Sequence, residues 1–208
     1  YNTLGKPEKA LQYAWKAREL EKDYMEAYDL VGNIFYKLGD YDRSVSAYKS
    51  AIRLNSEDPM THYNLGCVYY ALGDLAQAET HWKKAVSLEK DSPSRGETET
   101  ATASFDVSLI ITNRTASFES YKSLGDLYIR TGRKEAARQS FLNAIRLKPN
   151  EPESYYQAGK LSLELQDKSE ATKYFEKYLY LGGTKEEEVR KLLKSSNRLH
   201  ESGFQKSS

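Results

Sequence analysis

The chain has 208 residues, a formal net charge of +1 and apolar residues at 39% of its positions. This balance of charge gives no attraction for nucleic acid or anionic lipid, and no apolar run is long enough to insert across a membrane. The single cysteine excludes an internal disulfide. A mean hydropathy of −0.76 is low for a compact globule and suits thin two-layer packing, in which every helix keeps a solvent-facing side.

An apolar residue followed by glycine recurs at four places, which are Val31-Gly32, Leu65-Gly66, Leu124-Gly125 and Ala158-Gly159. The first and last intervals between these glycines are 34 residues, and the middle interval of 59 is longer by 25. A fixed period of this length is typical of a repeat array, in which each unit buries its apolar face against its neighbours.

Each unit carries the same residue types at the same distances from its glycine. Seven residues on lies a helix-terminating residue: Gly39, Gly73, Gly132 or Gln166. Twelve residues on lies a small residue: Ser44, Ala78, Ala137 or Ala171. Sixteen residues on lies an aromatic residue: Tyr48, Trp82, Phe141 or Phe175. The apolar pattern continues nineteen and twenty-two residues on, at Ala51, Ala85, Ala144, Tyr178, Leu54, Leu88, Leu147 and Leu181. This spacing predicts two helices per unit, with the glycine and the small residue at the helix crossing and the aromatic beside them.

The pattern, together with Tyr28, Tyr121 and Tyr155 four residues before three of the glycines, resembles the tetratricopeptide repeat. The resemblance covers about residues 1–92 and 118–183. It implies an all-α fold, namely an α-solenoid of antiparallel helix pairs in a right-handed superhelix. The departures from the period add a non-repeat insertion and a C-terminal capping helix to that fold.

In chain order, residues 1–22 fit the second half of a truncated repeat, and full repeats follow at 25–58, 59–92, 118–151 and 152–183. Because the sequence starts inside a repeat and has no initiator Met, we expect it to be a piece of a longer array. Residues 184–202 predict a capping helix with one apolar stripe, formed by Val189, Leu192, Leu193 and Leu199. Residues 203–208 are expected to form a frayed tail.

The insertion at 93–117 combines loop signals with Phe105–Thr112, which reads as a strand by composition. Three alternatives remain open for it. It is a linker between repeat pairs, a segment packed on the edge of the array, or a docking strand for another chain.

The sequence offers little catalytic chemistry, so we expect neither an enzyme, a cofactor nor a metal site. His62, His81 and His200 are not at metal-ligand spacing, and His62 takes the position that tyrosine fills in the other repeats. Cys67 is interpreted as a packing thiol. The glycines are dispersed through the repeats and form no phosphate-binding loop.

In the family that the chain resembles, the first helices of successive repeats line a concave groove that holds a segment of a partner. Carried over by position, the predicted partner-binding residues are Asn33, Tyr36, Lys37, Tyr63, Asn64, Tyr70, Lys122, Asp126, Arg130, Tyr156 and Lys160. The wider lining set adds Glu26, Asp29, Met60, Cys67, Glu119, Ile129, Glu153, Leu163 and Glu164. Tyrosine is suited to this role because it offers a large apolar area and a polar tip.

Co-chaperones of this family hold a C-terminal carboxylate with lysines, asparagines and an arginine. At the matching positions Asn33 and Asn64 fit, but Asp29, Glu119 and Ser123 replace the cations. Because the replacements include two acids, we expect no affinity for acidic C-terminal tails.

The favoured hypothesis is an interaction scaffold whose partner is a protein or peptide. One alternative is a homo-oligomeric assembly module that self-associates through the truncated N-terminal repeat, and another is a regulatory region of a larger protein. Nucleic acid is not expected as a partner, since acids outnumber bases in the groove set.

Overall fold

The computed structural model describes Lys16 and residues 25–91 and 115–194, and every regular element in these ranges is an α-helix. The first four helices are α1 (Met25–Lys37), α2 (Tyr41–Leu54), α3 (Pro59–Leu72) and α4 (Leu75–Asp91). The next four are α5 (Thr115–Arg130), α6 (Lys134–Leu147), α7 (Pro152–Glu164) and α8 (Lys168–Tyr180). A last helix, α9, is described over residues 186–194. The chain divides between Ser120 and Tyr121 into two compact units.

The expected all-α solenoid of antiparallel helix pairs is confirmed, with α1–α2 and α3–α4 in the first unit. In the second unit α7 and α8 form one pair, and α6 follows the part of α5 beyond Ser120. Except for Lys16, the truncated repeat at 1–22 lies outside the described residues, as do the predicted strand at 105–112 and the tail at 203–208.

The turn inside each pair follows one backbone pattern. The residue seven positions after each crossing glycine has a left-handed conformation, with φ of 76° at Gly39, 82° at Gly73, 72° at Gly132 and 64° at Gln166. In the α1–α2 turn, Gly39 N–H donates to the Tyr36 carbonyl at 3.0 Å and Asp40 N–H donates to the Phe35 carbonyl at 2.9 Å. These two hydrogen bonds satisfy carbonyl groups that the end of a helix would otherwise leave without a donor.

The helix crossing joins each glycine to the aromatic residue sixteen positions later. A Cβ atom added to Gly66 would lie 2.6 Å from the Trp82 ring, and one added to Gly125 would lie 2.6 Å from Phe141. The small residue twelve positions after the glycine is fully buried in every pair: Ser44, Ala78, Ala137 and Ala171. The two paired helices therefore approach closely because one backbone offers no side chain where the other inserts a ring.

Two predicted core positions are more exposed than the periodic pattern suggests. Leu54 is 39% exposed and Leu147 is 38% exposed. Each is the last residue of its helix, α2 and α6 respectively, so it lies beside a loop and not between two helices.

The third repeat begins earlier than predicted, because helix α5 starts at Thr115 and residues 115–117 are not part of the loop. Ala116 and Phe118 are buried, and the Ser117 N–H donates to the Glu89 carboxylate of α4 at 2.9 Å. N–H groups in the first turn of a helix lack a partner within the helix. The Glu89 carboxylate is an acceptor for one of these N–H groups, which allows the helix to begin further upstream.

Helix α9 packs its apolar stripe on the last repeat. Val189 is fully buried against a core that contains Phe175 and Tyr178, and Leu192 and Leu193 pack on the same core. The Tyr178 hydroxyl accepts a hydrogen bond from Lys185 N–H at 2.7 Å. Leu199, the fourth member of the predicted stripe, lies outside the described part of the chain.

Gly66→Ala tests the close helix crossing. Alanine normally favours a helix over glycine, by about 0.5–1 kcal/mol. Here the new methyl group meets the Trp82 ring, so we expect unfolding free energy to fall by about 1–3 kcal/mol in urea titration. Trp82→Ala should lower it by about 3–5 kcal/mol. In a Trp82→Leu background the alanine should cost less, and an equal cost in both backgrounds would show that the ring is not what it meets.

Gln166→Gly tests the turn between α7 and α8. Gln166 has a φ of 64°, whereas the equivalent turn residues of the other repeats are glycine. Removing the strained side chain should raise unfolding free energy by about 0.5–1 kcal/mol. The control Gln139→Gly, at an exposed position inside α6, should instead lower it by about 1 kcal/mol. A loss of stability in both variants would contradict the assigned strain.

Candidate functional site

The first helices of the first two repeats lie against each other and carry most of the predicted groove side chains of the first unit. The contact is marked by Thr61 of α3, whose hydroxyl donates to the two Asp29 carboxylate oxygens of α1 at 2.8 and 2.9 Å. Tyr36 is 39% exposed and Lys37 is exposed, both at the end of α1. On α3, Tyr63, Asn64, Cys67 and Tyr70 are half-buried.

Aromatic residues of the core contact the residues of this surface from its buried side. The Tyr48 hydroxyl donates to the Asn33 side-chain oxygen at 2.9 Å. The Trp82 indole N–H donates to the Tyr63 carbonyl at 3.2 Å, and the Tyr70 ring packs on the Trp82 ring with centroids 5.6 Å apart. The rings that pack against Gly32 and Gly66 therefore also position residues at the candidate site.

Cys67 is enclosed by the same groups. Burial raises the pKa of its thiol, and nearby Glu119 raises it further, whereas hydrogen bonds with Tyr63 and Trp82 oppose the shift. A raised pKa disfavours the reactive thiolate. This is consistent with the interpretation of Cys67 as a packing residue.

Asp29 is an unusual carboxyl group, since its pKa is raised from 3.8 to about 7. Burial is the largest cause, and the Asp58 and Glu26 carboxylates raise the pKa further, while the Thr61 hydrogen bond lowers it. Asp58, which was not among the predicted groove residues, accepts a hydrogen bond from Thr61 N–H at 2.6 Å. Its position eight residues before Gly66 is the sequence signal that could have identified it.

In the second unit the predicted lysines lie against other side chains of the chain. Lys122 Nζ is 3.3 Å from the Glu151 carboxylate, and Lys160 Nζ is 5.4 Å from the centre of the Tyr156 ring. Asp126 and Arg130 are exposed on α5.

The prediction that Tyr156 contacts a partner is wrong. Tyr156 is only 4% exposed, and its hydroxyl donates to Glu188 of α9 at 2.6 Å. Lys185 Nζ lies 4.0 Å from the centre of the ring, and Tyr178 packs beside it. The capping helix therefore covers α7 at this position, and the tyrosine belongs to the core of the last repeat.

His62 of α3 and His81 of α4 are in contact although they are 19 residues apart in the sequence. Their Nδ1 atoms are 3.0 Å apart, and His62 Nε2 is 3.2 Å from the Ser56 carbonyl. Because a carbonyl only accepts, we assign the proton of His62 to Nε2, so that His81 Nδ1–H donates to His62. Burial lowers the pKa of His81 to about 4, and His62 and Lys49 lower it as well. This pair is a packing element between α3 and α4.

Across residues 25–91 and 115–194, no three His, Cys, Asp or Glu side chains are grouped so that they could hold a metal ion. Within the same ranges no helix is long and apolar enough to cross a membrane.

Comparison with known families agrees with the repeat geometry. Profiles described as TPR repeat match residues 32–73 and 125–166, and tetratricopeptide-repeat profiles match residues 59–92 and 152–181. The chain belongs to the tetratricopeptide-repeat (TPR) family. These matches include all the crossing glycines of the four repeats. No curated protein matches the sequence at a significant level.

Solved TPR structures share this fold. MamA is 19% identical with a TM-score of 0.66, over 86% of this chain and 91% of MamA. YrrB, described as a TPR protein with an unusual peptide-binding site, is 20% identical with a TM-score of 0.59, over 86% of this chain and 79% of YrrB. The first TPR of Spaghetti (RPAP3), bound to the HSP90 peptide SRMEEVD, is 21% identical with a TM-score of 0.52, over 68% of this chain and 95% of that one. At these identities the similarity shows the TPR fold.

Asp29→Asn tests the environment of this carboxyl group. Between pH 3.8 and about 7 the folded protein binds more protons at Asp29 than the unfolded chain does, so stability falls as pH rises through this window. Asparagine keeps an oxygen for Thr61 and carries no charge. We expect it to raise unfolding free energy by about 1–2 kcal/mol above about pH 7, less than the full shift because solvent reaches part of the side chain.

The measurement is urea unfolding at a series of pH values, with Asp42→Asn as the control that removes an exposed carboxylate from α2. The gain from Asp29→Asn should shrink as pH falls toward 4. A gain that is the same at every pH would contradict the raised pKa.

Proposed function

We propose that this TPR chain is a non-catalytic protein-interaction scaffold that holds a segment of a partner protein against α1 and α3. The observation that carries the proposal is the surface of the first unit. There Tyr36, Tyr63 and Tyr70 are each partly exposed, and Asn33 and Asn64 lie on the same two helices. Tyrosines combine a large contact area with few rotatable bonds, so they lose little entropy when a partner binds.

Contacts between core aromatic residues and this surface favour the proposed role. The Trp82 ring contacts Tyr70 and donates to the Tyr63 carbonyl, and Tyr48 donates to Asn33. Groups that are already held in place need less ordering on association, which improves affinity for a given contact area. The known TPR structures add a precedent, since YrrB is described with a peptide-binding site and the RPAP3 domain is bound to an HSP90 peptide.

The side chains predicted on the second unit make contacts within that unit. Lys122 contacts Glu151, Lys160 lies over the Tyr156 ring, and Tyr156 is buried under α9. We therefore place the principal contacts on the first unit, and the roles of Lys122, Asp126, Arg130 and Lys160 in binding stay predictions. The expectation that acidic C-terminal tails are not bound also stays a prediction, and it agrees with the carboxyl groups around Asp29.

The alternative of self-association through the truncated N-terminal repeat rests on residues 1–22, of which only Lys16 is described. It stays a hypothesis, and sedimentation of the chain over a range of concentrations tests it. A regulatory role within a longer protein is compatible with the scaffold function and stays a hypothesis as well.

A double substitution, Tyr36→Ala with Tyr70→Ala, tests the proposed surface. Partners captured from a lysate of the source organism by the unaltered chain should be identified, and their affinity then measured with purified components. We expect the double variant to bind at least about tenfold more weakly, because truncating interface tyrosines commonly costs more than 1 kcal/mol each.

The matched control is Tyr180→Ala, which removes a tyrosine that is 81% exposed on α8. It should leave the affinity unchanged. Equal affinities for all three proteins would overturn the placement of the site on α1 and α3.

A further inference from the structure

We propose that the contact between His62 and His81 is an acid-sensitive switch, which makes the α3–α4 helix pair lose stability as the pH falls from about 7 to about 5. Such a switch goes beyond the proposed function, because it concerns how the second repeat responds to pH and not what the chain binds. The geometry of the two rings and their positions in the repeat support it.

The two imidazole rings connect α3 to α4 in their neutral forms. His62 is only 6% exposed, and its Nε2–H donates to the Ser56 carbonyl at 3.2 Å. Its Nδ1 is 3.0 Å from His81 Nδ1, so His62 accepts there and His81 donates. A proton added to His62 Nδ1 would place two N–H groups opposite each other, and the hydrogen bond between the helices would be lost.

A proton added to His81 is unfavourable because of its surroundings. The ring is half-buried, with the His62 ring centroid at 5.3 Å and the Tyr69 ring centroid at 5.5 Å. Burial lowers the pKa of His81, and His62 and Lys49 of α2 lower it as well. A charged imidazolium is therefore less stable at this position than in the unfolded chain, where water surrounds it.

The groups around His62 act in both directions. Burial lowers its pKa, the hydrogen bond with the Ser56 carbonyl opposes this shift, Lys84 of α4 adds to it, and Asp58 at the N-cap of α3 opposes it. The pKa of His62 is lowered in sum. Folding therefore favours the neutral form of both rings.

The position of His62 holds tyrosine in the other repeats, at Tyr28, Tyr121 and Tyr155. The Tyr155 hydroxyl donates to the Pro149 carbonyl at 3.1 Å. Pro149 stands ten residues before Gly159, as Ser56 does before Gly66. His62 thus makes the hydrogen bond that tyrosine makes in the fourth repeat, but unlike tyrosine it gains a charge in weak acid.

The position of His81 also differs from its equivalents. It lies fifteen residues after the crossing glycine, where the other repeats have Ala47, Ser140 and Tyr174. None of these side chains changes its charge between pH 5 and pH 8. The second repeat is therefore the one among the four full repeats in which both positions titrate near neutral pH.

The direction of the pH effect follows from the lowered pKa values. Below about pH 6.5 the unfolded chain binds more protons at these two histidines than the folded chain does, so stability falls as pH falls. Trp82 of α4 donates to the Tyr63 carbonyl and packs on Tyr70. A weaker α3–α4 pair therefore also loosens the surface on which the proposed function rests.

The test is urea unfolding of the full chain at a series of pH values from about 7 to about 5. Fluorescence is followed in a Trp15→Phe background, where Trp82 is the remaining tryptophan. The unaltered pair is compared with His62→Tyr plus His81→Ala, which reproduces the first repeat. We expect the unfolding constant of the unaltered pair, relative to this variant, to rise about tenfold over the range.

Asp29 titrates in the same pH window, but it is present in both proteins, so its effect cancels in the ratio of the unfolding constants. A ratio that does not change with pH would overturn the inference. A second variant, His62→Tyr plus His81→Ser, reproduces the third repeat and should give the same result. The control His200→Gln removes the remaining histidine and should keep the pH response of the unaltered chain. Loss of the response in this control would place its origin outside the α3–α4 pair and would also overturn the inference.

An NMR titration of the imidazole ring protons tests the contact without substitutions in the pair. We expect two of the three histidines to gain their proton clearly below about pH 6.5. Titration of all three near this value would contradict the proposed switch. None of these measurements uses a partner, so their outcome is independent of whether the scaffold function is correct.

Discussion

The contact between a glycine and an aromatic ring is the constraint on which each helix pair depends. Gly32 meets Tyr48, Gly66 meets Trp82, Gly125 meets Phe141 and Gly159 meets Phe175. The ring occupies the space that a side chain would take, so the two backbones can approach and the small residue nearby is fully buried. In the first unit Tyr48 and Trp82 also reach Asn33, Tyr63 and Tyr70. One packing contact therefore fixes both the core and the back of the candidate site.

The contacts between successive repeats follow a different principle, because their geometry is kept while their charges change. Thr61 and Ser154 occupy the same repeat position, and the backbone N–H of each donates to the carboxylate of its own N-cap residue. The side chain that arrives from the preceding repeat is Asp29 in one case and Lys122 in the other. Because the apolar crossing holds each repeat together, these polar positions differ in charge while the repeat geometry is kept.

Helix α9 uses a repeat contact without continuing the repeat. Tyr156 donates to Glu188 in the place where Asp29 meets Thr61 in the first unit. Glu153 pairs with Lys185 at the repeat positions of Glu26 and Asp58. However, Leu193 stands 34 residues after Gly159, at the position of a crossing glycine. Its side chain is partly buried and packs on the core of the last repeat.

The sequence by itself determined the helix pairs, the turns and the residues that meet at each crossing. These follow from local spacing, because glycine, a small residue and an aromatic at fixed intervals leave one way to pack two short helices, and Gly39, Gly73 and Gly132 adopt the left-handed turn. The tertiary structure decided the rest. Tyr156 is buried because α9 covers it, and helix α5 begins at Thr115 because the Glu89 carboxylate accepts a hydrogen bond from its first turn. Asp29 has a raised pKa first because folding buries it, and the nearby Asp58 carboxylate raises the pKa further. Each of these depends on burial and on contacts between side chains of different helices. The 34-residue period indicates which residues occupy equivalent positions, but it indicates neither their burial nor these contacts.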